Sequence, residues 1–379
     1  MRIAVPAEND PSEHRVAATP DTVKRFVALG AEVVIQAGAG LKSGILDADY
    51  KALGATIADT AADTIRDADI VLQVRRPPAE SLEGLKPGAL LIAVLDPYGH
   101  IDALKAIAER GASAFAMELM PRITRAQSMD VLSSQANIAG YRAVIDAAAE
   151  FGRAMPMMMT AAGTVPAAKV FIMGVGVAGL QAIATARRLG AIVTATDVRP
   201  ATKEQVESLG AKFIAVENEE FKKAETSGGY AKEMSDEYKK AQAALTATHI
   251  SKQDIVITTA LIPGRPAPLL ITAAMVESMR AGSVIVDLAV ERGGNCELSK
   301  PGETVVSSNG VKIVGNLNVA GRLASTASAL YAKNLYAFVE TFVDKKTKAF
   351  NVPWDDELVK ATLLTKDGKL VHPNFPDAA

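Results

Sequence analysis

The chain has 379 residues, of which 49% are hydrophobic and 22% are charged. This balance is typical of a soluble globular protein, and the length favours two domains over one compact core. The formal net charge of −2 leaves no basic surplus to neutralise phosphates, which argues against nucleic acid as a partner. The single cysteine, Cys296, excludes an intramolecular disulfide framework and fits a reducing cytosol. No metal site is expected.

The first third of the chain alternates short apolar strands with helices. The predicted strands cover residues 3–5, 32–35, 70–74, 90–94 and 113–116, and the predicted helices cover residues 21–29 and 101–110. The first helix is entered through Thr19 and Pro20 and ended by Gly30. Such alternation predicts βαβ units around a parallel sheet. A polar stretch over residues 120–134 then interrupts the pattern.

A helix with an apolar face over residues 138–151 follows, and it is long enough to bridge two domains. The apolar run at residues 155–186 has to be tested as a membrane span. Pro156, Gly163 and Pro166 interrupt this run, and a strand buried on both faces explains its apolar character. No membrane span is therefore predicted.

Inside that run, a glycine-rich turn joins a predicted strand to a predicted helix. The strand covers residues 170–173, and Gly174, Gly176 and Gly179 follow in G-x-G-x-x-G spacing. These glycines permit a tight turn and close approach to a pyrophosphate, and the helix N-terminus offers N–H groups to the phosphates. Asp197, after the next strand, can accept hydrogen bonds from a ribose and repel a 2′-phosphate. The segment therefore predicts binding of NAD(H) rather than NADP(H).

Two alternatives bear on this prediction. A glycine-rich turn can be purely structural, but the strand before it, the helix after it and the acid at the right distance favour dinucleotide binding. Arg199, two residues after Asp197, could hold a 2′-phosphate. A solvated Arg199 is favoured, because Asp197 would otherwise lie beside that phosphate.

The alternation continues to about residue 318 and predicts a second sheet. Its further strands cover residues 192–196, 255–258, 284–287 and 313–314. The charged insertion at residues 216–241 is predicted to be a mobile flap because it offers little apolar area to pack, with a solvated helix as the alternative. A helix over residues 323–347 is expected to return to the first domain.

The predicted fold is α/β, with two Rossmann-like, doubly wound parallel-sheet domains and a cleft between them. Residues 1–135 and 319–379 are expected to form the first domain, and residues 136–318 the NAD(H)-binding domain. A doubly wound protein binds its cofactor in such a crevice.

Further motifs accompany the fingerprint along nearly the whole chain. They are EHRVAATP at residues 13–20, LIPGRPAP at 261–268, GSVIVDLA at 282–289 and the glycine pair at 293–294. Together with the fingerprint they resemble the alanine dehydrogenase/nicotinamide nucleotide transhydrogenase family. The two branches of this family differ in chemistry, so individual side chains separate them.

Similarity to the alanine dehydrogenase branch implies a substrate site in the first domain. Arg15 matches the arginine that binds the substrate carboxylate, but Arg75 replaces the branch's lysine and Asp96 its histidine. Arginine is not deprotonated in proteins, and an anionic aspartate is a poor proton donor to a carbonyl. Amino-acid oxidation is therefore predicted to be disabled. An NAD-dependent alanine or oxo-acid dehydrogenase remains the alternative.

The polar stretch contains RITRAQSMD, which resembles the loop that marks the NAD(H)-binding component (alpha subunit, domain I) of proton-translocating transhydrogenase. The resemblance implies that Arg122, Gln127, Asp130 and Ser133 lie at the nicotinamide site. Tyr141 is expected to pack nearby or in the core. A solvated connector without a role is the alternative for this loop, and the resemblance favours the functional interpretation.

The fingerprint and the resemblance together imply a set of nucleotide contacts in the second domain. A mobile loop with Tyr230 and Met234 is expected to close over the adenosine part of the nucleotide. The complete set is Gly174, Gly176, Val177, Gly179, Asp197, Val198, Arg199, Tyr230, Met234, Ala260, Leu261, Pro263, Gly264, Asp287 and Asn316.

The resemblance also implies a reaction and partners. Hydride would pass directly from NADH on this chain to NADP⁺ on a partner, because the cofactors themselves hold the chemistry. One fingerprint is present, so NADP(H) would be carried by membrane-spanning transhydrogenase subunits that also move protons. The chain is expected to be a homodimer, cytoplasmic and peripheral on the cytoplasmic face of the inner membrane. A regulatory NAD-sensing module is a further alternative.

Overall fold

The computed structural model describes residues 1–222, 224 and 234–375, and the chain divides into two compact units. The first unit is Met1–Gln135 with Ala320–Ala379, and the second is Ala136–Val319. Each unit is built on one large sheet.

Six parallel strands form the sheet of the first unit. They are β1 (Arg2–Val5), β2 (Glu32–Gln36), β3 (Thr56–Ala58), β4 (Ile70–Arg75), β5 (Leu90–Val94) and β6 (Ser113–Ala116). Their order is β3-β2-β1-β4-β5-β6, which puts the topological switch point between β1 and β4. All of β6 and nearly all of β4 is buried, as expected for a parallel sheet covered on both faces.

Four helices belong to this part of the first unit. They are α1 (Pro20–Ala28), α2 (Asp47–Lys51), α3 (Ala61–Ile65) and α4 (Ile101–Glu109). The entry of α1 is as predicted, because the Thr22 hydroxyl accepts the Thr19 N–H and Pro20 stands at the first position. Val23 and Phe26 of α1 are buried in the core with the strands.

The long helix α5 (Val131–Glu150) begins at Val131 rather than at residue 138. The Asp130 carboxylate caps its first turn by accepting the N–H and the hydroxyl of Ser133. Apolar periodicity could not show this start, because the residues before 138 are mostly polar. A short 3-10 helix, Thr124–Met129, precedes the cap.

Seven strands form the sheet of the second unit, in the order β11-β10-β9-β12-β13-β15-β14. A hairpin of β7 (Met158–Thr160) and β8 (Gly163–Val165) comes before them. The sheet strands are β9 (Lys169–Met173), β10 (Ile192–Thr196), β11 (Lys212–Phe213), β12 (Ile255–Thr258), β13 (Val284–Asp287), β14 (Thr304–Val306) and β15 (Lys312–Val314). All pair in parallel except the edge strand β14. The predicted α/β fold class, with two doubly wound parallel sheets, is confirmed.

In the part of the second unit that the structure describes, five α-helices accompany the sheet. They are α6 (Val177–Arg188), α7 (Thr202–Ser208), α8 (Glu219–Lys222), α9 (Asp236–Ile250) and α10 (Ala273–Glu277). The β7–β8 hairpin interrupts the apolar run at residues 155–186. Within the described ranges, no helix combines the length and the apolar character that crossing a bilayer requires.

The two ends of the charged insertion pack on the core of the second unit. Phe221 of α8 and Tyr238 of α9 are buried, and their rings stack with centroids 6.4 Å apart. Met234 is buried in the same hydrophobic cluster. The prediction that this segment has too little apolar area to pack is wrong for these ends, because a few aromatic side chains bury enough surface among the charges. Tyr230 lies outside the described residues.

The C-terminal part of the first unit adds two helices and a small hairpin. These are α11 (Ala324–Glu340), α12 (Glu357–Thr362), β16 (Thr365–Lys366) and β17 (Lys369–Leu370). Helix α11 ends at Glu340 rather than at residue 347, because the Asp344 carboxylate accepts the N–H groups of Lys346 and Thr347 in a turn. In the core, Phe338 of α11 packs edge-on against Phe115 of β6.

Candidate nucleotide-binding site and polar loop

Two of the fingerprint glycines, Gly174 and Gly179, occupy positions that no larger residue would fit. Gly174 has φ +101°, and a Cβ there would lie 2.5 Å from the Thr259 hydroxyl oxygen. A Cβ at Gly179 would lie 1.9 Å from the Gly174 carbonyl oxygen. Helix α6 can therefore pack this close to the turn only because residue 179 is glycine. A Cβ at Gly176 would meet nothing within 4 Å, which leaves room for a ligand to approach the backbone.

Helix α6 begins directly after this turn and offers an uncapped N-terminus. Gly176 is its N-cap, and no side chain accepts a hydrogen bond there. The first amides of the helix, at Val177 and the residues after it, have no intrahelical acceptor. Free N–H groups and the positive end of the helix dipole suit a phosphate.

Asp197, immediately after β10, is bound from two sides. Its carboxylate accepts the Val175 N–H at 2.7 Å, and it pairs with the Arg199 guanidinium through Nε at 2.9 Å and a terminal nitrogen at 3.0 Å. Arg199 also donates to the Val175 carbonyl at 3.1 Å. The expectation of a solvated Arg199 is therefore wrong, because the adjacent carboxylate attracts the guanidinium. Val198, between them, is 50% exposed.

The segment after β12 lies against the fingerprint turn. The Thr259 hydroxyl donates to the Gly174 carbonyl at 3.0 Å, and the Ala260 N–H donates to the Asn295 side chain at 3.0 Å. Leu261 is 53% exposed, and Pro263 and Gly264 are exposed as well. The backbone of Ala260 is therefore fixed by a hydrogen bond, whereas the residues that follow it are exposed.

The remaining predicted nucleotide contacts have partners within the protein. Asp287 is buried and accepts hydrogen bonds from five groups of neighbouring residues. Asn316, after β15, donates to Asp146 at 3.0 Å. Met234 is buried in the core cluster of the second unit.

The polar loop of the first unit is anchored rather than loose. Arg125 pairs with Asp356 at 2.7 Å and with Glu357 at 3.0 Å, at the start of α12. Asn334 of α11 donates to the Ser128 carbonyl at 2.8 Å. Ala126 and Met129, one on each side of Ser128, are buried. The loop is therefore a structured segment and not a loosely held connector, while its function stays a prediction.

The four residues predicted at the nicotinamide site have two different environments. Gln127 is exposed on the anchored 3-10 segment, and Arg122 is exposed just before that segment begins. Asp130 and Ser133 contact each other, with the Ser133 hydroxyl 2.5 Å from the carboxylate. Tyr141 on α5 is 41% exposed, so the alternative of a core tyrosine is wrong.

A buried ion cluster occupies the region of the expected oxo-acid site. Arg15 donates to Glu13 through two nitrogens, at 2.8 and 2.7 Å, and to Gln135 at 2.9 Å. Arg75 donates to the same Glu13 carboxylate at 2.9 Å. Burial alone would raise the pKa of Glu13, but the hydrogen bonds and charge of Arg15, with Arg75, lower it to about 2. Arg75 is therefore committed to an ion pair.

Asp96, at the histidine position of the dehydrogenase branch, has an unusual backbone. Its φ of +47° is left-handed, and its N–H donates to the half-buried Glu118. Its carboxylate lies 3.5 Å from the His100 Nδ1.

The described residues contain no group of His, Cys, Asp and Glu side chains that could hold a metal ion.

Sequence reasoning missed two residues that shape these sites. Asn295 fixes the backbone at Ala260, and Arg125 fixes the polar loop. The glycine pair before Asn295 marks a tight loop in the sequence, but the partner of Asn295 lies in a segment that follows a different strand.

Two protein-family models match the sequence of this chain. The model of the alanine dehydrogenase/PNT N-terminal domain matches residues 4–139, and that of the C-terminal domain matches residues 143–373. The chain belongs to the alanine dehydrogenase/PNT family. The resemblance drawn from the motifs is thereby confirmed, and membership of this family implies NAD(H) as a cofactor.

Individual relatives fall on both branches of the family. An NAD(P) transhydrogenase alpha-subunit protein of Rhodospirillum rubrum is 57% identical over 98% of each chain. The crystal structure of transhydrogenase from Sinorhizobium meliloti is 60% identical, with a TM-score of 0.89 over 98% of this chain and 100% of that one. Alanine dehydrogenase of Halomonas elongata is 31% identical over 100% of this chain and 96% of its own. The higher identities support the NAD(P) transhydrogenase branch.

Proposed function

We propose that the chain is the NAD(H)-binding subunit of a proton-translocating transhydrogenase. It passes hydride directly between NADH bound here and NADP⁺ bound on a partner subunit. Membrane-spanning partners, which include the NADP(H)-binding domain, couple this transfer to proton translocation. The chain acts as a homodimer on the cytoplasmic face of the inner membrane.

The anchored polar loop carries this proposal. Arg125, Ser128 and Met129 fix the 3-10 segment to its own unit, while Gln127 on this segment and Arg122 just before it remain exposed. A fixed backbone that presents polar side chains suits the alignment of a ligand more than its occasional contact. We infer that these two side chains hold the carboxamide and ribose at the nicotinamide end of the nucleotide.

The other predicted residues of that site have supporting roles in the proposal. Asp130 and Ser133 cap α5 and hold the end of the loop in place. In the second unit, the uncapped N-terminus of α6 binds the pyrophosphate, and Asp197 accepts hydrogen bonds from the adenosine ribose once Arg199 turns aside. The bound NADH supplies the hydride, so the protein needs to orient it and exclude water.

The oxo-acid dehydrogenase alternative requires a proton-transferring group beside Arg15. The lysine position holds Arg75, which is paired with Glu13, and an arginine does not exchange its proton at neutral pH. The identity of 31% to an alanine dehydrogenase keeps this alternative worth testing.

One experiment separates the two functions. The purified chain is mixed with NADH and with the NADP⁺-loaded nucleotide domain of a related transhydrogenase. Because NADH and NADPH absorb alike, the loss of NADH and the gain of NADPH are followed by chromatographic separation of the nucleotides. We expect rapid, partner-dependent oxidation of NADH, and no oxidation when pyruvate and ammonium replace the partner. Brisk oxidation with pyruvate and ammonium would refute the proposal, whereas binding of NADH without oxidation in either mixture would favour an NAD-sensing module.

A further inference from the structure

The side chain of Asn295 binds the backbone of the segment after β12 at three points. Its Oδ1 accepts the Ala260 N–H at 3.0 Å, and its Nδ2 donates to the Ala260 carbonyl at 2.9 Å and to the Pro268 carbonyl at 2.8 Å. Asn295 is fully buried. One amide therefore ties together the two ends of the segment from 260 to 268.

Asn295 is itself held in place by the carboxylate of Asp287. The Asp287 oxygens accept the N–H groups of Asn295 at 2.8 Å, Cys296 at 3.0 Å and Ala289 at 2.9 Å. The hydroxyls of Thr258 and Ser299 add bonds of 3.1 and 2.7 Å. With five donors inside the protein, this buried carboxylate has no lone pair left for a nucleotide.

The glycine pair allows the chain to pass this close to Asp287. Gly294 has φ +83°, and a Cβ there would lie 2.9 Å from an Asp287 carboxylate oxygen. Gly293, with φ +98°, is also left-handed. Both conformations favour glycine, so the motif serves the packing of this loop on the carboxylate.

The segment that Asn295 ties lies directly against the fingerprint. Thr259 donates its N–H to the Met173 carbonyl at 2.9 Å and its hydroxyl to the Gly174 carbonyl at 3.0 Å. A shift of Ala260 would therefore move the wall of the glycine turn. Leu261 and Ile262 follow immediately and are exposed, so packing against the core does not fix their position.

We propose that Asn295 is a positioning residue for the nucleotide, with Asp287 as its anchor. It fixes the segment from 260 to 268 before NAD(H) arrives, so that binding does not have to order this backbone. Asp287 acts through Asn295 and does not contact the nucleotide. This inference rests on the NAD(H) binding proposed above.

The chemistry of the site explains why an amide is needed. The three backbone groups are one N–H and two carbonyls, which require one acceptor and two donors. Asparagine supplies both, whereas aspartate lacks the donors and serine is too short to span the three groups. Each backbone group left unpaired in this buried place carries a desolvation cost.

The test compares Asn295→Ala with Asn309→Ala. Asn309 is a matched control, because its Nδ2 also donates to three carbonyls of the second unit, those of Val276, Glu277 and Met279. Two quantities are measured for each variant: the hydrogen-exchange rates of the amides of residues 259–262 and 264 without nucleotide, and the Kd for NADH from its fluorescence. If Asn295→Ala does not fold, Asn295→Ser is used instead.

We expect Asn295→Ala to exchange faster at residues 259–262 and 264 and to bind NADH about tenfold more weakly. Asn309→Ala should lower the melting temperature to a similar extent but leave the Kd unchanged. Unchanged exchange, or faster exchange with an unchanged Kd, would overturn the inference. Failure of the unmodified chain to bind NADH would instead overturn the proposed function.

Discussion

At the level of the single residue, Asp197 has a structural role in addition to its predicted contact with the ribose. The sequence predicted it as a ribose acceptor, and its carboxylate also holds the Val175 N–H of the fingerprint turn and pairs with Arg199. A ribose hydroxyl must therefore compete with a guanidinium. In the proposed function the acid selects the nucleotide, and in the structure it also holds the fingerprint turn in place.

Replacing Asp197 by alanine tests this double task. We expect Asp197→Ala to weaken NADH binding by about tenfold or more, because both the ribose acceptor and the tie to Val175 are lost. Discrimination against NADPH should relax, since Arg199 is then released toward a 2′-phosphate. The Kd values for NADH and NADPH are measured by fluorescence titration. Asp236→Ala, at the exposed start of α9, is the control, and an unchanged ratio of the two Kd values would contradict the assignment.

Gln127 lies exposed on the anchored loop and is proposed to align the nicotinamide. Gln127→Asn keeps the amide but withdraws it by one methylene group. Hydride transfer to an NADP⁺-loaded partner domain should slow by at least about tenfold, with little change in NADH binding, because alignment matters most in the transition state. Stopped-flow rates and Kd values are compared with those of Gln205→Asn, an exposed glutamine of α7. Equal losses in rate and binding would show that Gln127 merely binds.

The limits of sequence reasoning differ between these residues. The fingerprint glycines could be predicted because their constraint is local, within one strand–turn–helix segment. The ties made by Asn295 and Arg125 could not, because their partners stand far away along the chain. Polar residues that sequence reasoning places in solvent therefore include some whose side-chain bonds fix the backbone of the candidate sites.

At the level of elements, buried strands were predictable and short or polar elements were not. Apolar runs gave β5, β10, β12 and β13 with the bounds that the structure has. The edge strands β3, β11 and β14 are too short for their side-chain alternation to stand out from a loop. The predicted start of α5 and the predicted end of α11 were wrong, because the hydrogen bonds of a single carboxylate, Asp130 or Asp344, are not visible in the apolar pattern.

The contact between the polar loop and α12 gives a prediction at this level. Arg125→Ala removes the ion pairs with Asp356 and Glu357. Because these pairs are exposed, the melting temperature should hardly change. The freed 3-10 segment should slow hydride transfer several-fold without changing the Kd for NADH. Arg66→Ala, which removes an exposed pair with Asp63, is the control; equal rates in both variants would count against a role for the anchor.

At the level of the whole molecule, the two units carry different titrating groups. In the first unit, burial raises the pKa of Glu8 and of Glu118 to about 7, against the N–H bonds that each accepts. In the second unit, burial and nearby lysines lower the pKa of His249. Burial also lowers the pKa of His372 in the first unit. The opposite pH dependence is therefore a property of Glu8 and Glu118 and not of the first unit as a whole.

The sign follows from which state holds the proton. Between pH 4.5 and about 7, folded Glu8 and Glu118 keep a proton that the unfolded chain has lost, so the first unit becomes less stable as pH rises through this window. Glu13, with its pKa lowered to about 2, contributes stability that is lost only as pH falls below 4.5. The neutral His249 costs the second unit stability as pH falls below 6.5.

Glu118→Gln isolates one of these carboxyls, because an amide oxygen can still accept the Leu95 and Asp96 N–H bonds without titrating. The single tryptophan, Trp354, stacks near Phe115 in the first unit, so its fluorescence reports the urea unfolding of that unit. From pH 5 to 8 the free energy of unfolding should fall by roughly 1–3 kcal/mol more in the unmodified chain than in Glu118→Gln. Glu83→Gln, in a surface loop of the same unit, should follow the unmodified chain. Parallel pH profiles for the unmodified chain and Glu118→Gln would mean that Glu118 is already ionised at pH 5, and that its backbone hydrogen bonds outweigh its burial.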